Sequence, residues 1–378
     1  MALEVYINQG AKRLRCGYTT GSCATLASKA AAKSLLTKTT IKEASIMTPK
    51  GIPVKVDILE MTQEGNSVRC AVRKDAGDDI DATAGMLIYA TVECIETGIV
   101  IDGGTGIGRI TQKGLAFPIG TAAINKTPRK MIKDALTALA KDYDYTGGFK
   151  VVIDAPEGIA VAKRTFNAKL GIEGGISIIG TTGIVEPMSL KALIATIELE
   201  MKIAAAKGQK QLVLTPGNLG EVFIQEQMHL EGQKVVQFSN FIGDSLDFGS
   251  VFGYDEILIV SHIGKAVKLA GGIMNTHSRY ADCRVEIFSA YAALEGASQS
   301  VIEKIMVSKT TDAVIEILKE ANLLEGTLQR IIRSAQEHLE YRVADKYKVG
   351  IVMYSNAHGL LGMSEPAKEM VEEWGKHE

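Results

Sequence analysis

The sequence predicts two domains. Residues 1–170 read as an α+β domain with a mixed or antiparallel sheet, and residues 171–378 as an α/β domain on a mainly parallel, doubly wound, Rossmann-like sheet with extra helices. Three observations carry this expectation. The chain has 378 residues, more than the roughly 250–300 at which a single hydrophobic core stops growing. Between Ile41 and Ile99 short apolar runs alternate and are separated by Pro, Gly and Asn, as paired strands require. After about residue 170, short β-branched runs alternate with helical segments, the pattern of successive βαβ units.

Composition limits the function classes. With 46% hydrophobic and 23% charged residues the chain reads as soluble and globular. A net charge of −2 argues against nucleic acid or a membrane surface as partner, since either needs a broad basic face. The five cysteines, Cys16, Cys23, Cys70, Cys94 and Cys283, are scattered and form no C-x-x-C pair, so no zinc or iron–sulfur site is predicted. They read as reduced thiols of a cytoplasmic protein. No uncharged run approaches the roughly 18 residues of a membrane span, and the first residues lack a basic-then-apolar export pattern. Small-molecule chemistry is the expectation that remains, with a homo-oligomer left open.

Taken in order, the chain begins with a peripheral segment and then Arg13 and Arg15 before Thr19-Thr20-Gly21-Ser22. A helix is predicted from there to about Leu36, capped by Thr20 or Ser22 and made for close packing by its alanines. The threonines either cap this helix or, with the arginines, present its N-terminus to an anion. Strands are predicted at 44–47, 52–59, 67–72 and 86–95. Among them, Asp75, Asp78, Asp79 and Asp81 suit a divalent cation or a solvated, self-capping turn, and the spacing is not that of an EF-hand. Gly104, Gly106 and Gly108 do not reproduce G-x-G-x-x-G, but they place flexible backbone next to Arg109 and Lys113, which can grip carboxylates or phosphates. Thr127 and Pro128 open a helix to about Lys141, and a strand follows at 149–153.

The stretch around which the C-terminal half is expected to form is Gly175 to Ser189. Its β-branched start predicts a strand buried on both faces of a parallel sheet, followed by a glycine turn, Gly180 to Gly183, and a helix from about Pro187 to Lys207. Strand, glycine turn and helix N-terminus make either an anion and nucleotide cradle or an ordinary tight turn. Strand–loop–helix units then repeat at 211–218, 234–244 and 256–265, which would put all four glycine-bearing loops on one rim. Residues 282–342 are predicted mostly helical, a last strand at 349–353 joins the same sheet, and Trp374 belongs to packing or to a disordered tail.

Seven segments together identify a family. RCGYTTGSCA (15–24), KDAGDD (74–79), GGTGIGRI (103–110), GTAAINKTPRKMI (120–132), GISIIGTTGIVEPMS (175–189), NFIGDSL (240–246) and SHIGKAVKLAGGIMNTHSRYAD (261–282) resemble the cobalt-precorrin-5B C(1)-methyltransferases of anaerobic cobalamin biosynthesis. Two positions depart from the usual pattern: Thr105 where glutamate is common, and Ser261 where glycine is common. Thr105 argues against an acid or base in that loop.

The resemblance implies S-adenosylmethionine as methyl donor and a tetrapyrrole as acceptor, with cobalt only as part of that substrate. Such a transfer needs positioning more than a strong base, so no catalytic dyad is expected and His262 is the sole candidate. For the donor the expected residues are Gly180, Thr181, Thr182, Gly183, Gly217 and Asn218, with Glu186 or Asp244 for its hydroxyl or ammonium groups. For the carboxylate-rich acceptor they are Arg15, Thr19, Thr20, Arg73, Arg109, Lys113, Arg129, Lys265, His277 and Arg279, gathered at a cleft between the domains. His262 and His277 either approach the cobalt axially or act as hydrogen-bonding residues. Without the resemblance, two rivals stand: a phosphotransferase of GHMP-kinase type and a non-catalytic tetrapyrrole carrier.

Overall fold

In the computed structural model, which describes residues 3–9, 12–112, 115, 117–165, 167–168, 170–228, 230 and 232–375, the chain is a mixed α/β protein. It divides into two units, Met1–Leu190 and Lys191–Glu378. The division falls after Leu190 and not near residue 170.

The first unit runs β1 (Tyr6–Gln9), β2 (Lys12–Arg15), β3 (Gly17–Tyr18), α1 (Thr20–Thr37), β4 (Glu43–Met47), β5 (Pro53–Asp57), β6 (Leu59–Glu64), β7 (Ser67–Arg73), β8 (Leu87–Ile95), β9 (Ile99–Gly103), β10 (Arg109–Ile110), α2 (Lys126–Asp142), β11 (Gly148–Asp154), α3 (Gly158–Ala162), β12 (Ile172–Glu173) and β13 (Ile184–Val185). Its main sheet has the order β6-β7-β8-β11-β9 and is antiparallel except for the β11–β9 pair. The sheet buries one face under α1, which also meets β4 and α2. Alanines at 24, 27, 30, 31 and 32 let α1 sit deep in this core, and Thr25 and Ser28 turn their hydroxyls back to the carbonyls of Gly21 and Ala24 at 2.8 and 2.7 Å.

The 175–185 segment belongs to this first unit, which corrects two expectations. No strand of a parallel sheet forms at 175–179. Instead Ile176 makes an isolated bridge to Ile107 and Ile178 one to Ile124, and β13 pairs antiparallel with β3. A β-branched run favours extended backbone but does not choose its partner. Here the partners are the glycine loop after β9 and the entry to α2.

The second unit continues with α4 (Leu190–Ala206), β14 (Gln211–Thr215), α5 (Asn218–Phe223) extended by a π-helical turn at Ile224–Met228, β15 (Val235–Gln237), α6 (Ile242–Phe252), β16 (Glu256–His262) and α7 (Ile263–Ala266), which tightens into a 3₁₀ turn at Val267–Gly271. Four helices follow: α8 (Arg284–Leu294), α9 (Gln299–Met306), α10 (Thr311–Glu320) and α11 (Leu324–Val343). The chain closes with β17 (Lys348–Ser355), β18 (Gly359–Met363) and α12 (Glu365–Trp374). The sheet order is β15-β14-β16-β17-β18, with β14 to β17 parallel and β18 antiparallel at one edge.

Strand residues alternate between two cores. Leu212, Leu214, Ile257, Ile259, Ile351 and Met353 pack with α4, α6, α8, α10 and α11. Val213, Leu258, Val260, Val352 and Tyr354 pack with Phe223, Ala367, Met370 and Trp374. A sheet covered on both faces explains why these strands read as unbroken apolar runs. Trp374 is packing: it is buried, and its indole N–H donates to Glu256 at 2.9 Å.

Candidate functional site

In the first unit, the residues that promised an anion cradle are occupied by the fold itself. Thr19 is the N-cap of α1 and accepts from the Ser22 N–H at 3.2 Å. The Ile179 carbonyl takes the Gly21 N–H at 3.0 Å, while Gly183 accepts the Thr19 N–H at 3.1 Å and the Ser22 hydroxyl at 2.7 Å. Thr20 is buried and exchanges two hydrogen bonds with the Ile179 backbone, at 2.9 and 3.2 Å. Gly180 has φ +134°, and a Cβ there would collide with the Thr19 hydroxyl. The 179–183 turn therefore clasps the start of α1, and no strand of the parallel sheet leads into it. Thr182 gives its carbonyl to the Lys50 N–H at 3.1 Å, Glu186 pairs with Lys50, and Thr181 is exposed.

The second glycine loop is closed as well. Gly106 has φ +75°, with no room for a Cβ against the Ala155 carbonyl, and the Thr105 N–H is held by Asp154 at 2.7 Å. This is close backbone packing, so the loop offers no open amide row of the kind that holds phosphates. Arg109 beside it is paired with Asp102 at 2.8 Å. Arg15 makes a two-pronged pair with Asp75 at 2.5 and 2.8 Å, and that guanidinium holds the Asp75 carboxyl below the usual range. Arg73 is exposed and donates to the Gly85 carbonyl at 3.0 Å. Arg129 is half-buried, donates to the carbonyls of Ile124, Ile101 and Ala122 at 2.9, 2.8 and 3.3 Å, and lies 5.2 Å from the Phe117 ring. Lys113 lies outside the described residues.

The four aspartates near residue 78 are each engaged by the chain itself, two of them by Arg15. Asp75 holds Arg15, Asp78 accepts the Arg15 N–H, Asp79 accepts the Met188 N–H, and Asp81 pairs with the buried Lys74 while also holding Thr83. Beside them a cavity of about 520 Å³ is lined by Tyr18, Asp57, Arg73, Lys74, Asp75 and neighbouring backbone. That volume lies in the range of small-molecule pockets.

In the second unit the predicted residues collect at the carboxyl ends of β14 to β17. Gly217 precedes α5, and Asn218 accepts from the Gln237 amide at 2.8 Å, tying the loops after β14 and β15 together. Asp244 sits in the first turn of α6. His262 ends β16 and caps α7: its Nδ1 accepts the Gly264 N–H at 3.1 Å, and its ring stands edge-on to Tyr354 at 5.5 Å. Burial holds this imidazole below its ordinary 6.5, with Asp312 pulling weakly the other way. Lys265 donates to the Ser239 carbonyl at 2.8 Å. His277 is exposed, with its Nδ1 accepting the Arg279 N–H at 3.1 Å, and Arg279 is exposed.

Sequence reasoning missed three groups here. Lys268 is buried three residues after Lys265, and that i,i+3 spacing on one helical face was the available signal. Asp312 and Ser355 meet at 2.7 Å at the end of β17, and nothing local in the sequence links positions 43 residues apart.

The fold and these loops define a two-unit mixed α/β protein whose second unit carries polar and charged side chains at the carboxyl edge of its sheet. The family model described as CbiD matches residues 7–187, ending close to the division after Leu190, and the one described as CbiD, C-terminal domain, matches residues 275–365. The chain is 48% identical over 354 residues to a protein of Ruminiclostridium cellulolyticum named cobalt-precorrin-5B C(1)-methyltransferase, covering 94% of this chain and 92% of the relative. Identically named proteins of Photorhabdus laumondii and Thermoanaerobacter sp. are 42% and 41% identical, covering 96% and 95% of this chain and 96% and 98% of theirs. A crystal structure of a cobalamin biosynthesis protein (cbiD) from Archaeoglobus fulgidus is 30% identical, covers 74% of this chain and 87% of its own, and superposes with a TM-score of 0.40. The chain belongs to the cobalt-precorrin-5B C(1)-methyltransferase (CbiD) family.

Proposed function

We propose that this chain methylates C-1 of cobalt-precorrin-5B with S-adenosylmethionine, giving cobalt-precorrin-6A, in the cytoplasm. The observation that carries the proposal is near-full-length identity of 48% to a protein of that name. S-adenosylmethionine supplies a methyl on cationic sulfur, which a ring carbon takes as the S–C bond breaks, so the protein's work is orientation.

The residues at the carboxyl edge of the second unit fit such a donor. Asn218 and Asp244 offer oxygens to ribose hydroxyls or an ammonium, the Gly217 turn offers backbone, and Lys265 offers a cation with no carboxylate partner among the described residues. In the Gly180–Gly183 turn the carbonyls of Thr182 and Gly183 go to Lys50 and to the start of α1, and Glu186 pairs with Lys50, so what this turn can still offer a donor is its amide N–H groups and the Thr181 hydroxyl. Among the cations expected for an acceptor's carboxylates, Arg73, Arg129 and Arg279 likewise have no carboxylate partner among the described residues.

His262 has a defined part. A backbone N–H can only donate, so the Nδ1 that receives Gly264 is bare and the neutral ring carries its proton on Nε2. The same holds for His277, whose Nδ1 receives Arg279. In that tautomer each ring has its Nε2–H to donate, which supports the hydrogen-bonding role.

Incubation of the full chain with cobalt-precorrin-5B and methyl-labelled S-adenosylmethionine tests the function. Label in the tetrapyrrole and formation of S-adenosylhomocysteine are expected. Tight tetrapyrrole binding without transfer would leave a carrier, and nucleotide hydrolysis a phosphotransferase.

A further inference from the structure

Many cations of this chain already hold a carboxylate. Arg15, Arg109, Arg284 and Arg342 pair with Asp75, Asp102, Asp282 and Asp247, and Lys50, Lys74 and Lys234 with Glu186, Asp81 and Glu200. Lys265 does not. It is half-buried on α7, its ammonium reaches only the Ser239 carbonyl, and no carboxylate of the described residues lies within ion-pair distance. An ammonium has three protons to donate, so two remain.

A second charge stands behind it. Lys268 is 3% exposed and donates to the carbonyls of Thr276 and Ala281 at 3.1 and 2.8 Å. Its nearest carboxylate, Asp282, is 3.6 Å away and is itself held by Arg284 at 2.5 Å. Burial first, and the Lys268 charge second, loosen the proton on Lys265. The surrounding backbone is set for this arrangement. Ser239, whose carbonyl Lys265 reaches, takes the left-handed φ of +57° at some cost for a residue with a Cβ, and Thr276 and Met274 are tied to Asn240 and Gly243 at 3.0 Å each.

Two ammonium groups drawn partly or wholly out of water, with one carboxylate between them that Arg284 already holds, are unfavourable. We infer that Lys265, backed by Lys268, is a carboxylate-binding site at the carboxyl edge of the second unit's sheet, filled when ligand binds. This rests on the methyltransferase function. Two ligands of that reaction carry the chemistry: the donor at its amino-acid end, and the acceptor on its acetate and propionate arms.

Calorimetric titration of the full-length chain and its Lys265→Met variant separates the sources. Lys265→Gln serves as a second neutral variant and Lys265→Arg as the charge-keeping one, each checked by its urea midpoint. The probes are S-adenosylhomocysteine and its decarboxylated aminopropyl analogue, then cobyrinic acid and its fully methylated ester. The neutral variants should weaken one carboxylate-bearing probe about ten- to a hundredfold and leave its carboxylate-free counterpart unchanged, with Lys265→Arg in between. The pair that responds names the source. Folded neutral variants that bind both acids as the parent does, or that lose acid and counterpart equally, overturn the site while the methyltransferase reading stands. A parent chain that binds none of the four overturns both.

Discussion

In the first unit the turn at 179–183 gives the Ile179 and Gly183 carbonyls to the start of α1 and the Thr182 carbonyl to Lys50, and the 103–109 loop packs shut against Ala155. In the second unit the loops after β14, β15 and β16 hold Asn218, Asp244, His262 and Lys265, and the positive charge of Lys265 and Lys268 exceeds what local carboxylates neutralise. Both regions are rich in glycine, hydroxyls and cations. The difference is where the polar atoms go: inward to backbone in one unit, and to groups left available in the other. Glycine beside threonine thus serves close packing as readily as ligand binding, and only the hydrogen-bond partners tell them apart.

The sharpest way to break this contrast is Gly180→Ala. A Cβ at φ +134° collides with Thr19, so a loss of about 3 kcal/mol is expected in urea unfolding. An unchanged midpoint with lost S-adenosylhomocysteine binding would return the turn to ligand duty. Thr20→Val should cost about 2 kcal/mol, since it strands the Ile179 N–H that the hydroxyl receives at 2.9 Å. The same titration measures it, and donor affinity should not move.

Arg15→Ala probes whether a cation predicted for substrate is structural. Breaking the pair with Asp75 should cost about 1 kcal/mol at neutral pH. Because Asp75 titrates below its ordinary 3.8, its share of stability is present above that value and is lost as pH falls through the lowered one. The variant should flatten stability against pH in that acid window. The smallest effect belongs to His262→Asn. The folded imidazole titrates below 6.5, so the parent loses stability as pH falls from 6.5 through the folded value, where the unfolded ring protonates first. The variant should remove that shallow slope, and a ring that stays neutral by NMR well below pH 6.5 would sharpen the donor assignment.

Much of the fold was legible. α1 follows from its alanines and its capping hydroxyls, β5 and β7 from their alternation, and the strand–loop–helix order from β14 to α7 from short apolar runs that end at glycine or polar loops, all signals that local sequence carries. The 175–179 run was misplaced, because extended propensity says nothing about partners and the partners, Ile107 and Ile124, are more than fifty residues away in sequence. Strands as short as β1 and β2 carry too few residues for a period to emerge.

The candidate site divides along the same line. The sequence by itself determined the residue types, the order of the units and the family, since long motifs and local periodicity are properties of neighbouring positions. Tertiary structure alone decided which cations stay unneutralised. Arg15 finds Asp75 across 60 residues and Arg342 finds Asp247 across 95, whereas among the described residues Lys265 finds only a carbonyl. Charge pairing acts over a few ångströms of space, and distance in space between remote positions is what the folded chain, and not its linear order, sets.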